Sequence, residues 1–178
     1  DGWNGHRELV KLNTGNPEVR SYLLSIVDSW LHKYPIDGFR LDAADVLDMG
    51  FQRELSDFCH ESQKDFWLMG EVVHGDYRNW VQPGTLDSVT NYQAYKGLYS
   101  SHVDENYYEI AHSLRQQFES GGRYQEFLLY NFLENHDVDR VASKLTTPAH
   151  LNTIHLLLFT MPGIPSIYYG GEWGVQGT

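Results

Sequence analysis

The sequence predicts an α/β fold built on a parallel sheet covered on both faces, and three observations carry that reading. Short continuous apolar runs alternate with stretches of helical periodicity along the chain. The runs are apolar throughout rather than alternating, as strands buried on both faces are. Polar clusters (Asp42, Glu71, Asn91-Tyr92 and His136-Asp137) follow four of the five runs. In parallel α/β sheets chemistry gathers outside the carboxyl ends of the strands.

The elements follow in order. Residues 1–16 are polar and rich in Gly and Asn, which reads as loop. Asn16-Pro17-Glu18 announces a helix, with a cap residue, a proline at the first helical position and an acidic first turn. Val19, Tyr22, Leu23, Ile26, Val27, Trp30 and Leu31 recur at helical spacing before Pro35 ends it. Residues 36–44 read as a strand, 48–62 as a helix, 66–73 as a strand and 87–92 as a weaker one. A helix is expected over 107–120, closed by Gly121-Gly122. A strand over 127–133, a helix over 148–159 and a strand over 164–169 complete the pattern.

The bulk numbers narrow the function. The 178 residues suffice for one domain with a real core. No stretch approaches the roughly 18 apolar residues of a membrane span. A formal charge of −11 argues against nucleic acid and anionic membranes and suits a neutral substrate. The single Cys59 excludes an internal disulfide and a cysteine-based zinc site, and its helical apolar setting reads as an inert buried thiol. His60, His112, His150 and His155 show no ligand spacing, so no metal site is expected within the chain.

Arg40 and Asp42, two residues apart on a strand, leave on the same face, while Phe39 and Leu41 leave on the other. An arginine beside a carboxylate keeps it ionised and aims it. On this spacing alone, a structural ion pair and an oriented nucleophile fit equally well.

Taken together, the motifs resemble the α-amylase family of glycoside hydrolases. Asp37-Gly38-Phe39-Arg40-Leu41-Asp42-Ala43-Ala44 looks like its fourth-strand motif, Gly70-Glu71-Val72 its fifth, and Asn135-His136-Asp137 its seventh. Gly163-Ile164-Pro165-Ser166-Ile167-Tyr168-Tyr169-Gly170 resembles the eighth strand and its exit loop. Lys11-Leu12-Asn13, Glu71-Val72-Val73-His74 and the 86–92 run are similar to the neopullulanase and cyclomaltodextrinase branch. Asp45-Val46 stands where many amylases carry Lys-His, and Gly171-Glu172 where Asp-Glu is commoner.

The resemblance implies a partial (β/α)8 TIM barrel, about strands four to eight with their helices, filling residues 1–178. Residues 1–16 would be the end of the loop domain inserted before them. It implies a retaining hydrolase of α-glucosidic bonds in starch-like glucans, maltooligosaccharides or cyclodextrins. Asp42 would be the nucleophile, Glu71 the acid/base and Asp137 the third carboxylate. Arg40, His136 and His74 would contact the sugar.

No cofactor is implied within the chain, although many full-length members bind calcium near the inserted domain. A transglycosylase would use the same steps with a sugar hydroxyl in place of water. The non-enzymatic alternative is an amylase-like fragment with only a binding or assembly role. Such a fragment is expected to associate with another copy or with the rest of a barrel, because an open barrel exposes sheet edges.

Overall fold

The computed structural model describes residues 2–3 and 5–178. Its framework is five parallel strands in chain order, in two sheets joined at one seam. Strands β3 (Gly38–Leu41), β4 (Trp67–Gly70) and β5 (Ser88–Val89) form the first sheet, and β6 (Tyr130–Phe132) and β7 (Ile164–Ser166) the second. A single parallel bridge, Thr90 to Tyr130, links them, beside a 2.9 Å hydrogen bond from Asn91 N to Tyr130 O. Each strand is shorter than its apolar run, because the flanking buried residues, such as Phe66, Val72 and Leu129, belong to loops that also face the core.

The first helix, α1 (Pro17–Lys33), begins as read: the Asn16 side chain accepts a hydrogen bond from Glu18 N, and Pro17 opens the first turn. Its apolar stripe is wider than its contact. Leu23, Leu24, Val27 and Leu31 pack on the core, whereas Tyr22, Ile26 and Trp30 stay exposed. Helix α2 (Met49–Ser62) is capped by Asp48, which accepts from Phe51 N at 2.9 Å, and buries Phe51, Leu55 and Cys59. Register pairs Arg40 with Met69 and Met69 with Ser88. Phe39, Leu41, Leu68 and Val89 therefore share the face that meets α1 and α2.

The opposite face of the sheet carries a small cavity. Arg40, Met69, Thr90, Tyr130 and Ser166 line it, and its volume is about 140 Å³.

Two further elements escape the helical pattern. Helix α3 (Tyr92–Val103) begins on the residue read as the end of a strand, with Asn91 as its cap. It packs on α4 (Tyr108–Phe118) so closely that a Cβ on Gly97 would lie 3.1 Å from Ile110 Cα. The short α5 (Val141–Lys144) precedes α6 (His150–Thr160). Leu98, Ile110, Leu133, Val141, Ile154 and Leu158 form a second core beneath these helices.

The opening segment is a hairpin rather than loop: β1 (Gly2–Trp3) pairs antiparallel with β2 (His6–Val10), turning at Gly5 with φ of 86°. All of β2 is exposed, so no burial pattern marks it as a strand. The expectation for Asp1 and Asn4 lies outside the described residues. No helix among the described residues is long and apolar enough to cross a membrane.

Candidate active site

The site forms where β3 and β4 end side by side. Strand β3 stops at Leu41, and the next turn takes Ala43 into the left-handed region at φ 43° and ψ 47°. A residue with a Cβ sits there at some cost, so the conformation is held by its surroundings. Two backbone bonds do that work: Glu71 N donates to Leu41 O at 2.8 Å, and Ala44 N to Glu71 O at 2.9 Å. The turn aims Ala43 N–H at the Glu71 carboxylate, 3.3 Å away.

Arg40 joins the two acids. One of its terminal nitrogens lies 3.0 Å from a Glu71 oxygen and 3.6 Å from an Asp42 oxygen. Those carboxylate oxygens are therefore separated by no more than the sum of the two lengths. The exposure of the two acids differs sharply, at 13% for the Glu71 side chain and 82% for Asp42. Solvent screens the Asp42 contact, and the Glu71 contact is the stronger of the two. Sequence spacing paired Arg40 with Asp42; the structure pairs it first with Glu71.

The second pair hangs from β6. His136 Nε2 and Asp137 Oδ2 are 3.2 Å apart, both about half exposed. Asn135 shapes this turn: its Oδ1 accepts from Asp137 N at 2.8 Å and from Val138 N at 3.1 Å. Its amide donates to the Tyr92 hydroxyl at 3.1 Å. Tyr92 in turn lies edge-on to Phe132, with ring centroids 4.9 Å apart. Burial lifts the Tyr92 phenol above its usual range and the Asn135 bond opposes that, while the nearby Glu71 and Asp137 carboxylates add to the rise. Tyr92 thus stands between the two acid-bearing strand ends, and His136 lines the same cavity as Arg40.

The structure brings together Arg40, Asp42 and Glu71, and sets His136 and Asp137 beside them on the same edge. His74 lies apart from this contact network, exposed on the loop after β4. Asn135, Tyr92 and Ala43 were not singled out as site residues. Asn135 stands inside the quoted Asn-His-Asp motif, but no spacing signal marks a backbone turn or a phenol that meets it across the sheet.

Larger grooves lie elsewhere: about 660 Å³ between residues 11–15 and 46–48, and about 520 Å³ beside Tyr107, Tyr108 and His112. Charge and hydrogen bonding, not volume, mark the site. No group of three or more His, Cys, Asp or Glu among the described residues is placed to hold a metal ion.

A parallel sheet with acids gathered at the carboxyl ends of neighbouring strands has the working face of a (β/α)8 barrel. The particular family is clear from comparison: the chain belongs to the α-amylase family, whose "Alpha amylase, catalytic domain" profile matches residues 3–178. Cyclomaltodextrinase of Geobacillus thermopakistaniensis is 31% identical, over 96% of this chain and 29% of that protein. Neopullulanase 2 of Thermoactinomyces vulgaris is 30% identical, over 95% of this chain and 29% of its own. These relatives are of the branch that the sequence resembles. The solved debranching enzyme of Nostoc punctiforme superposes with a TM-score of 0.84 at 30% identity, covering 99% of this chain and 42% of that one. The chain spans about three tenths of the length of the curated relatives it matches.

Proposed function

We propose that this chain supplies the acid-bearing part of a retaining glycoside hydrolase acting on α-glucosidic bonds of starch-like glucans, maltooligosaccharides or cyclodextrins. In this reading β3 to β7 are strands four to eight of a (β/α)8 barrel, and residues 1–16 end the inserted loop domain. The observation that carries it is the Arg40 bridge between Asp42 and Glu71. The bridge puts one oxygen of each acid on a single guanidinium nitrogen, an arrangement compatible with the roughly 5–5.5 Å carboxyl spacing of retaining glycosidases.

The exposed Asp42 carboxylate attacks the anomeric carbon while Glu71, protonated, gives its proton to the leaving oxygen. The glycosidic C–O bond breaks as the Asp42–C1 ester forms. Glu71, now a carboxylate, takes a proton from water; the hydroxide oxygen bonds C1 and Asp42 leaves. Two inversions give net retention. Asp137 and His136 grip ring hydroxyls of the same sugar, Arg40 holds the two acids in register, and His74 is an outer contact.

The test uses the full-length protein that carries this chain. Glu71→Gln is expected to lose kcat/KM on maltooligosaccharides while largely keeping kcat/KM on an aryl α-glucoside, whose leaving group needs no proton, and to lose kcat on both because the second step lacks its base. Asp42→Asn is expected to lose turnover of both. Equal loss of kcat/KM on the two substrates in Glu71→Gln would remove Glu71 as the acid, and a first-formed β-anomer, seen by NMR, would overturn retention.

A further inference from the structure

The loop that carries His136 and Asp137 is held at both ends by a buried ion pair that the proposed reaction does not use. Glu134, 2% exposed, places one carboxylate oxygen 2.8 Å from Arg140 Nη1, and Arg140 is itself only 10% exposed. The other Glu134 oxygen accepts from Val141 N at 2.5 Å. The pair therefore closes residues 135–139 into a short loop whose two stems are fixed in the core.

Arg140 also ties that loop to the chain leaving β7. The same Nη1 donates to Tyr169 O at 2.9 Å. The guanidinium lies over the Tyr168 and Tyr169 rings, 4.4 and 4.5 Å from their centroids. Gly171 completes the enclosure, since a Cβ there would come within 2.6 Å of Glu134 Oε1. His136, Asp137, Arg140, Tyr168 and Tyr169 line one cavity of about 250 Å³.

A buried pair of this kind adds little stability over a packed apolar pair, because desolvation offsets the attraction. Geometry is what it can supply. Arginine gives two directed donors and a flat face at once, whereas lysine offers a point charge.

We propose that Glu134 and Arg140 are positioning residues, which set the place of His136 and Asp137 relative to the Tyr168-Tyr169 wall. This rests on the reading of His136 and Asp137 as sugar contacts, but its structural half is testable without turnover.

Glu134→Gln and Arg140→Lys are made in the full-length protein. Two readouts are taken: steady-state kinetics on maltooligosaccharides, and the His136 ring signals in ¹H–¹⁵N NMR. Lys144→Ala, which removes a 3.2 Å ion pair with Asp139 at the end of the same loop and leaves the Glu134–Arg140 pair in place, is the control. Both clamp variants are expected to shift the His136 signals and to lower kcat on the order of 10- to 100-fold, with KM changing far less. The control is expected to do neither.

Should Glu134→Gln fail to fold, Arg140→Lys, which keeps the buried charge balanced, decides the matter. Unmoved His136 signals in a folded clamp variant would overturn the proposal, whatever the rate. Moved signals with an unchanged rate would overturn the catalytic half. A wild-type protein without glycosidase activity would instead overturn the proposed function, and the His136 signals would still judge the clamp.

Discussion

Arg40 makes its shorter contact with Glu71, the residue just past the neighbouring strand, at 3.0 Å. Strand-end registry across a parallel pair, rather than spacing along one strand, therefore places the guanidinium between two acids. Replacing Arg40 by Lys keeps the charge but leaves one ammonium to serve both. The expected outcome is a fall in kcat/KM of about 10²-fold or more in the full-length protein. Steady-state kinetics on maltooligosaccharides checks it, and a loss under fivefold would show that the bridge is not needed.

The left-handed Ala43 makes a separate, structural prediction. A β-branched residue is poorly accommodated at φ 43°. Ala43→Val is expected to lose roughly 1–3 kcal/mol in urea unfolding. Ala43→Gly, free of the Cβ penalty, is expected to be neutral or to gain up to about 1 kcal/mol. Equal stabilities for the two variants would contradict the strained turn.

Asn135 and Tyr92 should rank in a set order. Asn135→Ala removes two acceptor bonds to the loop backbone as well as the bond to Tyr92, whereas Tyr92→Phe removes only the last. At about 1 kcal/mol per bond, expressed at the site, the losses in kcat/KM come to more than 30-fold and about fivefold. Rates measured side by side test the order, and a larger loss in Tyr92→Phe would reverse the assignment.

Cys59 gives a prediction in pH. Burial pushes its thiol from near 9.0 up to about 11. Native protein at pH 8 is expected to resist a thiol-reactive dye and to react fully once unfolded. The sign of the stability effect follows. The folded state holds the proton more tightly, so the contribution is complete below about 9 and is lost as pH rises through about 11. Fast labelling of the native thiol would place it at the surface.

Much of this architecture could be read from residue order, for identifiable reasons. Asn16-Pro17 and Asp48 are caps whose side chains find the expected backbone donors. The apolar runs around Phe39 and Leu68 are strands because each meets a helix layer. Helix α3 was invisible for an equally physical reason. Its buried face consists of Ala94, Tyr95, Gly97, Leu98, Ser100, Ser101 and His102, so small and polar residues stand where an apolar stripe would have shown. The candidate acids were legible through their ordered motifs. Their partners were not, since the Arg40–Glu71 contact depends on the Arg40–Met69 register and the Ala43 turn.

The seam between the sheets has a mechanical meaning. Asp42 and Glu71 stand on the three-stranded side, His136 and Asp137 on the two-stranded side, and one bridge at Thr90 and Tyr130 joins them. Beside that bridge, Asn91 bonds to Tyr130 and Asn131, and Tyr92 meets Asn135 and Phe132, so a narrow seam of contacts sets the width of the cleft. A ligand held by residues from both sheets would add one more tie across that seam.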